Sequence, residues 1–277
     1  MNVHEAYAFC RRIAHQHGAN FSVGFRFLPR QKRRAVYAAY AFCRWADDIA
    51  DEPHGDVAKN LDDWQCELDR CYDSAPTHPI AVALADALRF FDIPKSAFIA
   101  LIDGCRQDLV KNRYGNFDEL LDYCRMVASS IADISLAIFG YKSPAAIEHG
   151  RNLATALQLT NVTRDIGDDL ARDRVYVPQD ELHRFGVTRF APTEEMRRLV
   201  EFQIERAEGY FRAAEPLIHE LSFDARFPVL LMGGVYATVL KRLKGDPLIV
   251  LRERLSLSPL QKSAVVFARL LRPRFVS

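Results

Sequence analysis

Apolar residues recur at helical spacing along most of the chain, and no stretch alternates convincingly over the length of a strand. Ala35, Val36, Ala38, Ala39 and Phe42 form one such apolar face, and Leu153, Leu157 and Val162 form another. Breakers cut the pattern into helix-sized pieces at Pro29, Pro53 to Gly55, Pro76 to Pro79, Pro94, Gly115, Gly140, Pro178, Gly186, Pro192, Gly245 to Pro247 and Pro259. Ser143-Pro144 reads as a helix cap followed by a first-turn proline. Ser258-Pro259-Leu260-Gln261 adds the glutamine of a capping box. Thr193-Glu194-Glu195 starts a helix with acidic residues near its positive end. The pattern predicts one all-α domain spanning residues 1–277, with roughly eight to twelve helices and no linker or internal repeat.

Composition narrows the class. Of 277 residues 49% are hydrophobic, enough for a sizeable core. A net charge of +1 argues against nucleic acid as the main partner. No apolar run reaches the length of a membrane span. The first residues, Met1 to Ala6, open a polar helix rather than a signal peptide, so a cytoplasmic protein is expected. The six cysteines, Cys10, Cys43, Cys66, Cys71, Cys105 and Cys124, include no C-x-x-C pair. They read as reduced core residues, not as a zinc site.

Polar residues interrupt the helical pattern in two places. Tyr40 to Glu52 reads YAFCRWADDIADE, and Gln158 to Asp169 reads QLTNVTRDIGDD. Each carries two aspartates four apart, Asp47 with Asp51 and Asp165 with Asp169. Such residues stack on one helix face about 6 Å apart along the axis. At about 100° per residue, Tyr40, Arg44, Asp47 and Asp51 share a stripe, and so do Gln158, Asn161, Asp165 and Asp169. Asp48 and Asp168 lie to the side. Like charges so placed weaken a helix, and a divalent cation removes the penalty. Mg²⁺ favours one or two carboxylates together with phosphate oxygens. The bland reading is a solvated acidic face. One pair alone would suit it, but two matched pairs, the second with Asn161 and Gln158 in register, point to a diphosphate–Mg²⁺ site whose halves face each other. Exchanging Asp47 or Asp165 for Ala should then abolish turnover without lowering thermal stability.

With these motifs the chain resembles the squalene/phytoene synthase family, the head-to-head prenyl transferases, over nearly its whole length. The matching blocks are His17 to Pro29 (HGANFSVGFRFLP), Tyr40 to Glu52, Tyr123-Cys124 and Gln158 to Pro178 (QLTNVTRDIGDDLARDRVYVP). The resemblance implies an all-α isoprenoid synthase-type fold with a central cavity between two aspartate-rich helices. It implies Asp47, Asp51, Asp165 and Asp169, with Asn161, as Mg²⁺ ligands. It implies His17, Arg44, Gln158, Asn161, Arg164 and Arg254 as diphosphate contacts, Arg254 after a one-residue shift. Tyr123, Arg44 and Tyr236 would serve catalysis. Where the family has a basic residue two positions after the histidine, this chain has Ala19. Arg174 and Tyr176 could either cap the second acidic helix or close the cavity.

The implied reaction joins two farnesyl diphosphates through presqualene diphosphate to a C30 product: squalene, hydroxysqualene or dehydrosqualene. Asn20 to Val23, Tyr40 to Glu52 and Pro76 to Pro79 resemble the bacterial hopanoid-pathway members. Asn161 to Asp165 is more similar to presqualene diphosphate and phytoene synthases, so two geranylgeranyl diphosphates are the alternative. A non-catalytic, assembly-factor-like homologue is a third reading, but it would have eroded aspartates. NADPH would serve only a squalene-forming branch, and no G-x-G-x-x-G fingerprint supports it. After Tyr123-Cys124, Val127 to Asp133 (VASSIAD) lacks the family's glycines and places Ile131 and Ala132 where Val-Gly is usual. On an α-helix Val127, Ser130, Ile131 and Ile134 would line the space near Tyr123, and a fuller wall there favours the shorter substrate. Ser258 to Ser277 mixes Leu260, Val265, Phe267, Leu270, Leu271 and Phe275 with Lys262, Arg269, Arg272 and Arg274. It is either a basic amphipathic segment for peripheral membrane contact or a final core-packing helix.

Overall fold

A computed structural model describes residues 2–17, 22–51, 55–271 and 274–275, without the side chains of His17, Ser22, Val23, Pro259, Leu270 and Leu271. The all-α expectation holds: fifteen α-helices, one π-helical turn and one 3₁₀ turn are present among the described residues, and the only strand-like pairings are isolated bridges. The number exceeds the expected eight to twelve because four helices, Ser22–Phe25, Ile166–Ala171, Gln179–Phe185 and Leu217–Glu220, have only one or two turns. Such helices are too short to show amphipathic periodicity. The anticipated caps form. Ser143 Oγ accepts from the Ala145 N–H, Thr193 Oγ1 accepts from Met196 N–H, and Ser258 and Gln261 bond each other's backbone reciprocally.

The chain folds as two compact units. The first comprises Met1–Val110, Ser130–Ile147 and His219–Val229. Its centre is the helix Arg30–Asp51, which buries Ala35, Val36, Ala38, Ala39, Ala41, Phe42, Cys43 and Ala46. Five alanines on one face let neighbouring helices approach closely. Phe42 stacks on Trp64 at 4.5 Å and meets Phe98 edge-on at 5.1 Å. Trp64 Nε1 donates to the Phe42 carbonyl, so this cluster leaves no indole N–H orphaned. With its apolar side fixed inward, the helix carries Arg44, Asp47, Asp48 and Asp51 on the remaining arc.

The second unit comprises Lys111–Ser129, Glu148–Ile218 and Leu230–Ser277. Phe211 and Phe275 anchor its core, both fully buried. A methyl group on Gly233 would lie 2.4 Å from the Phe275 ring, so the glycine admits that ring. Gly167 plays the same part for backbone: a Cβ there would sit 2.6 Å from the Val250 carbonyl oxygen. The helix Ile166–Ala171 can therefore lie directly against the 3₁₀ turn Pro247–Leu251.

Three expectations need correction. The helix Phe223–Gly245 is long and apolar enough to cross a membrane by length and composition, although 67% of its apolar window is buried within the protein. Its scattered Asp224, Arg226 and Pro228 hide this in a search for uninterrupted apolar runs. Cys66 is exposed, while the other five free cysteines are buried. Finally, the segment after Tyr123 is not continuous α-helix. Phe117–Cys124 passes into a π turn, Arg125–Ser129, before Ser130–Phe139 resumes. A π turn advances the register by one residue, so the α spacing assumed between Tyr123 and Ile131 does not apply.

Candidate active site

The first acidic patch lies on Arg30–Asp51 in the first unit. Arg44 does not pair with Asp47; its guanidinium contacts Asp48 at 2.5 Å, one helical turn on. Arg44 Nε is buried with no hydrogen-bond partner. Asp47 is reached by solvent, yet protein crowds its other sides. That loss of hydration pushes its carboxyl up to about 6, opposed by the Cys105 thiol and by Arg44, and reinforced by Asp51 and Asp48. Cys105 Sγ donates to Asp47 Oδ1 at 3.5 Å, a contact between segments 58 residues apart that no local pattern foretells. The His17 side chain, Ala19 and Glu52 lie outside the described residues.

The second patch lies in the second unit, at the end of one helix and the start of the next. Ala145–Arg164 stops one residue short of Asp165, and Ile166–Ala171 follows. The spacing expectation survives this junction: Asp165 N–H donates to the Asn161 carbonyl and Asp169 N–H to the Asp165 carbonyl, at 2.9 and 2.8 Å. Thr160 and Thr163 turn their hydroxyls back onto the Ala156 and Leu159 carbonyls, leaving Gln158, Asn161 and Asp165 to form the polar stripe.

Arginines hold Asp165 from two sides. Arg164 Nε and Nη2 each donate at 2.6 Å, and Arg254 Nε and Nη2 donate at 3.0 and 3.1 Å. The Arg164 side chain is only 9% exposed, whereas that of Arg254 is 58% exposed. Arg164 and Asn161 also hydrogen-bond Tyr236, which is buried. Burial raises the pKa of Tyr236 despite the Arg164 charge beside it. Gln158, Asn161, Arg164, Asp165, Tyr236 and Arg254 are thus one connected network. The expectation that Asp165→Ala leaves stability unchanged does not fit it, because removing this carboxylate strands the buried Arg164 charge.

Asp169 has a different environment. It lines a small pocket with Val162, Ile166, Arg174, Tyr176 and Phe190. Burial against these apolar groups, then the Asp165 charge, push its carboxyl up to about 7, while Arg174 and Arg172 pull the other way. The segment after the motif is held in place by backbone. Asp173 takes a left-handed φ of 56°, Arg174 N–H caps the Asp169 carbonyl, and Val175 N–H bonds the Asn112 carbonyl. Gln179 N–H reaches the Tyr114 carbonyl at 2.8 Å. This course brings Tyr176 against both Tyr114 and Tyr123, with ring centroids 5.7 and 5.3 Å away, and since Tyr114 and Tyr123 are 5.5 Å apart the three rings form a triangular cluster. The Tyr123 and Tyr176 hydroxyls are 3.5 Å apart. So the two roles considered for Arg174 and Tyr176 are divided: the backbone of Arg174 caps the helix, and Tyr176 joins Tyr123 to the Asp169 pocket. Tyr114, fully buried, was not found from sequence; a lone tyrosine in Arg113-Tyr114-Gly115 carries no periodic signal.

Among the described residues no three His, Cys, Asp or Glu side chains are grouped closely enough to cage a metal by themselves. The donors fit an ion that does not need a cage. They are carboxylate and amide oxygens, Asn161 Oδ1 is buried without a partner, and Asp47 and Asp169 carry raised pKa values that a cation would reverse. Mg²⁺ keeps several waters and relies on substrate phosphates for other ligands.

A helical protein with two D-x-x-x-D motifs, arginines beside each, and an aromatic stack next to one of them has the makings of a prenyl diphosphate enzyme. Residues 14–261 match the model of the squalene/phytoene synthase family. A phytoene synthase of Mycobacterium tuberculosis is 36% identical over 97% of this chain and 91% of its own length. The crystal structure of squalene synthase HpnC from Alicyclobacillus acidocaldarius superposes with a TM-score of 0.84 at 31% identity, covering 88% of this chain and 95% of that one. A dehydrosqualene synthase in complex with ligand shares the fold with a TM-score of 0.89, at 24% identity and over 96% and 95% of the two chains. The chain belongs to the squalene/phytoene synthase family, whose members are prenyltransferases of isoprenoid biosynthesis acting on prenyl diphosphates with a divalent metal.

Proposed function

We propose that this protein condenses two molecules of one allylic prenyl diphosphate head to head, with Mg²⁺, through a cyclopropylcarbinyl diphosphate. The observation that carries the reading is the second-unit network, in which an aspartate of the motif, two arginines, an asparagine with an unpartnered buried oxygen and a buried tyrosine are already joined. When bound, Mg²⁺ supplies the positive charge that draws a diphosphate off its allylic carbon. Asp47 and Asp51 on the first unit, and Asp165 and Asp169 on the second with Asn161 Oδ1 as a neutral donor, would each hold such an ion. Arg44, Arg164, Arg254, Gln158 and His17 bind diphosphate oxygens. Arg254 is suited to exchange partners, since it is largely solvent-exposed and its contacts to Asp165 are the longer set. Tyr123, supported by Tyr176, presents its ring and hydroxyl near the departing diphosphate, and Tyr236 orients Asn161 and Arg164. Aromatic faces favour carbocations and exclude water from them.

Two chain lengths have support. Geranylgeranyl diphosphate, giving phytoene, is favoured by relatives named phytoene synthases at up to 36% identity over 97% of the chain. Farnesyl diphosphate, giving a C30 product, is favoured by the N-terminal segments and by the 31% identity to a squalene synthase. The wall argument for the shorter substrate is weakened by the π turn and by the solvent access of Ile131, so we place the C40 reading first. Incubating the protein with Mg²⁺ and each diphosphate, with and without NADPH, and weighing the product separates them. Phytoene from the C20 substrate supports the first. Squalene, hydroxysqualene or dehydrosqualene from the C15 substrate, at a higher rate, supports the second.

A further inference from the structure

The helix Pro259–Leu271 leaves two large apolar side chains in solvent. Val265 is buried, and Arg269 turns inward against Gly234, where its Nε finds no hydrogen-bond partner. An apolar stripe faces solvent beside the exposed Gln261 and Ser263: Leu260 is 83% exposed and Phe267 is 69% exposed. These two stand seven apart on one stripe, and Ala264 and Ala268 beside them are also exposed. The helix is not a loose end. Leu255 and Leu257 are buried just before it, the Ser258–Gln261 capping box fixes its start, and Arg242 bonds Gln261. Beyond it Phe275 is fully buried, its N–H bonded to Glu215. A helix anchored at both ends thus holds a leucine and a phenylalanine out in water, while Arg269 is half-buried beneath it with Nη1 on the Arg274 carbonyl. That arrangement is unfavourable unless something apolar covers the outer face.

Charge indicates what covers it. From Arg254 to Ser277 the chain has no Asp or Glu, and Lys262, Arg269, Arg272 and Arg274 all fall there. Arg274 is exposed, and Arg242 and Lys241 add exposed cations near the helix start. A second copy of this chain would oppose like charges to like. Its contact through two large side chains would also fall far short of the ~800 Å² per partner of a stable interface. An anionic lipid surface answers both the apolar stripe and the cationic rim. We propose that Pro259–Leu271 docks the protein on anionic membranes, with Leu260 and Phe267 inserted among the acyl chains. Docking is independent of catalysis in this account, and its test needs no prenyl diphosphate.

The test is flotation of the intact protein with phosphatidylglycerol–phosphatidylcholine vesicles and with pure phosphatidylcholine vesicles. Wild type should float with the anionic vesicles, should not float with the neutral ones, and should be released by high salt. L260Q/F267Q should lower the bound fraction by about tenfold or more, with an unchanged melting curve because both side chains are in solvent. K262Q/R274Q should weaken binding to anionic vesicles in the same direction. Failure of wild type to float, or equal flotation of L260Q/F267Q, overturns the proposal. So does a wild-type dimer, seen by light scattering, that L260Q/F267Q converts to monomer while vesicle binding is absent; the face would then belong to a second copy.

Discussion

Asp165 is clamped by two arginines, whereas Asp169 sits in an apolar pocket with its carboxyl pushed up to about 7. The two members of one motif are thus prepared differently, and they should respond differently to change. Asp169→Asn should stabilise the metal-free protein at pH 8 by roughly 1 kcal/mol, after allowing for partial solvent screening. The sign follows from a folded pKa above the unfolded one: ionisation costs stability, in full above about pH 7. The advantage of the variant should shrink as pH falls and vanish below about 4, near the unfolded carboxylate value. Thermal melts of both proteins in EDTA from pH 4 to 8 measure it. Asp165→Ala should do the opposite and lower stability by about 2 kcal/mol at neutral pH, because Arg164 loses its partner. Arg254→Gln removes the more exposed of the two arginines. It should strengthen Mn²⁺ binding in the absence of substrate, read by electron paramagnetic resonance, while turnover falls at least about tenfold through the lost diphosphate contact. At this scale the motif residues were legible because spacing alone places them on one face. Their partners were not. Cys105 beside Asp47, and Arg254 on Asp165, come from distant segments that no local pattern connects.

Caps were the most legible feature among the elements. Ser143, Thr193 and the Ser258–Gln261 box all form, since capping depends only on residues within one turn. Departures from regular helix were not legible. The π turn at Arg125–Ser129 falls in a run of small and apolar residues that suits an α-helix equally well. The close approach of Ile166–Ala171 to Pro247–Leu251 was hidden too, although its requirement, Gly167, stood inside the second motif. Gly167→Ala should therefore cost about 1–3 kcal/mol. Its added methyl meets backbone at Val250, which cannot swing aside as a side chain would. Because the displaced turn leads directly to Arg254, activity should fall more than stability alone explains. Chemical denaturation and steady-state kinetics on the same preparation would show both. Unaltered stability would mean that the turn is free to move away.

For the whole molecule, helical periodicity and the breakers sufficed for the all-α class, and the motif blocks sufficed for the family, because both are written in residue types at fixed spacing. Product identity is not written that way. It depends on how far a cavity extends beyond the reacting carbons, and a shift of one residue in a π turn changes which side chains border it. Head-to-head condensation should depend on both acidic motifs. Its most direct test is a single incubation series: purified protein, Mg²⁺ and either farnesyl or geranylgeranyl diphosphate, with diphosphate release and product mass followed together. The expected result is a product with twice the carbon number of its substrate, two diphosphates released per product, and loss of both signals in EDTA and in Asp47→Asn or Asp169→Asn. A product that retains a diphosphate after head-to-tail joining, or condensation that persists in both variants, would contradict it.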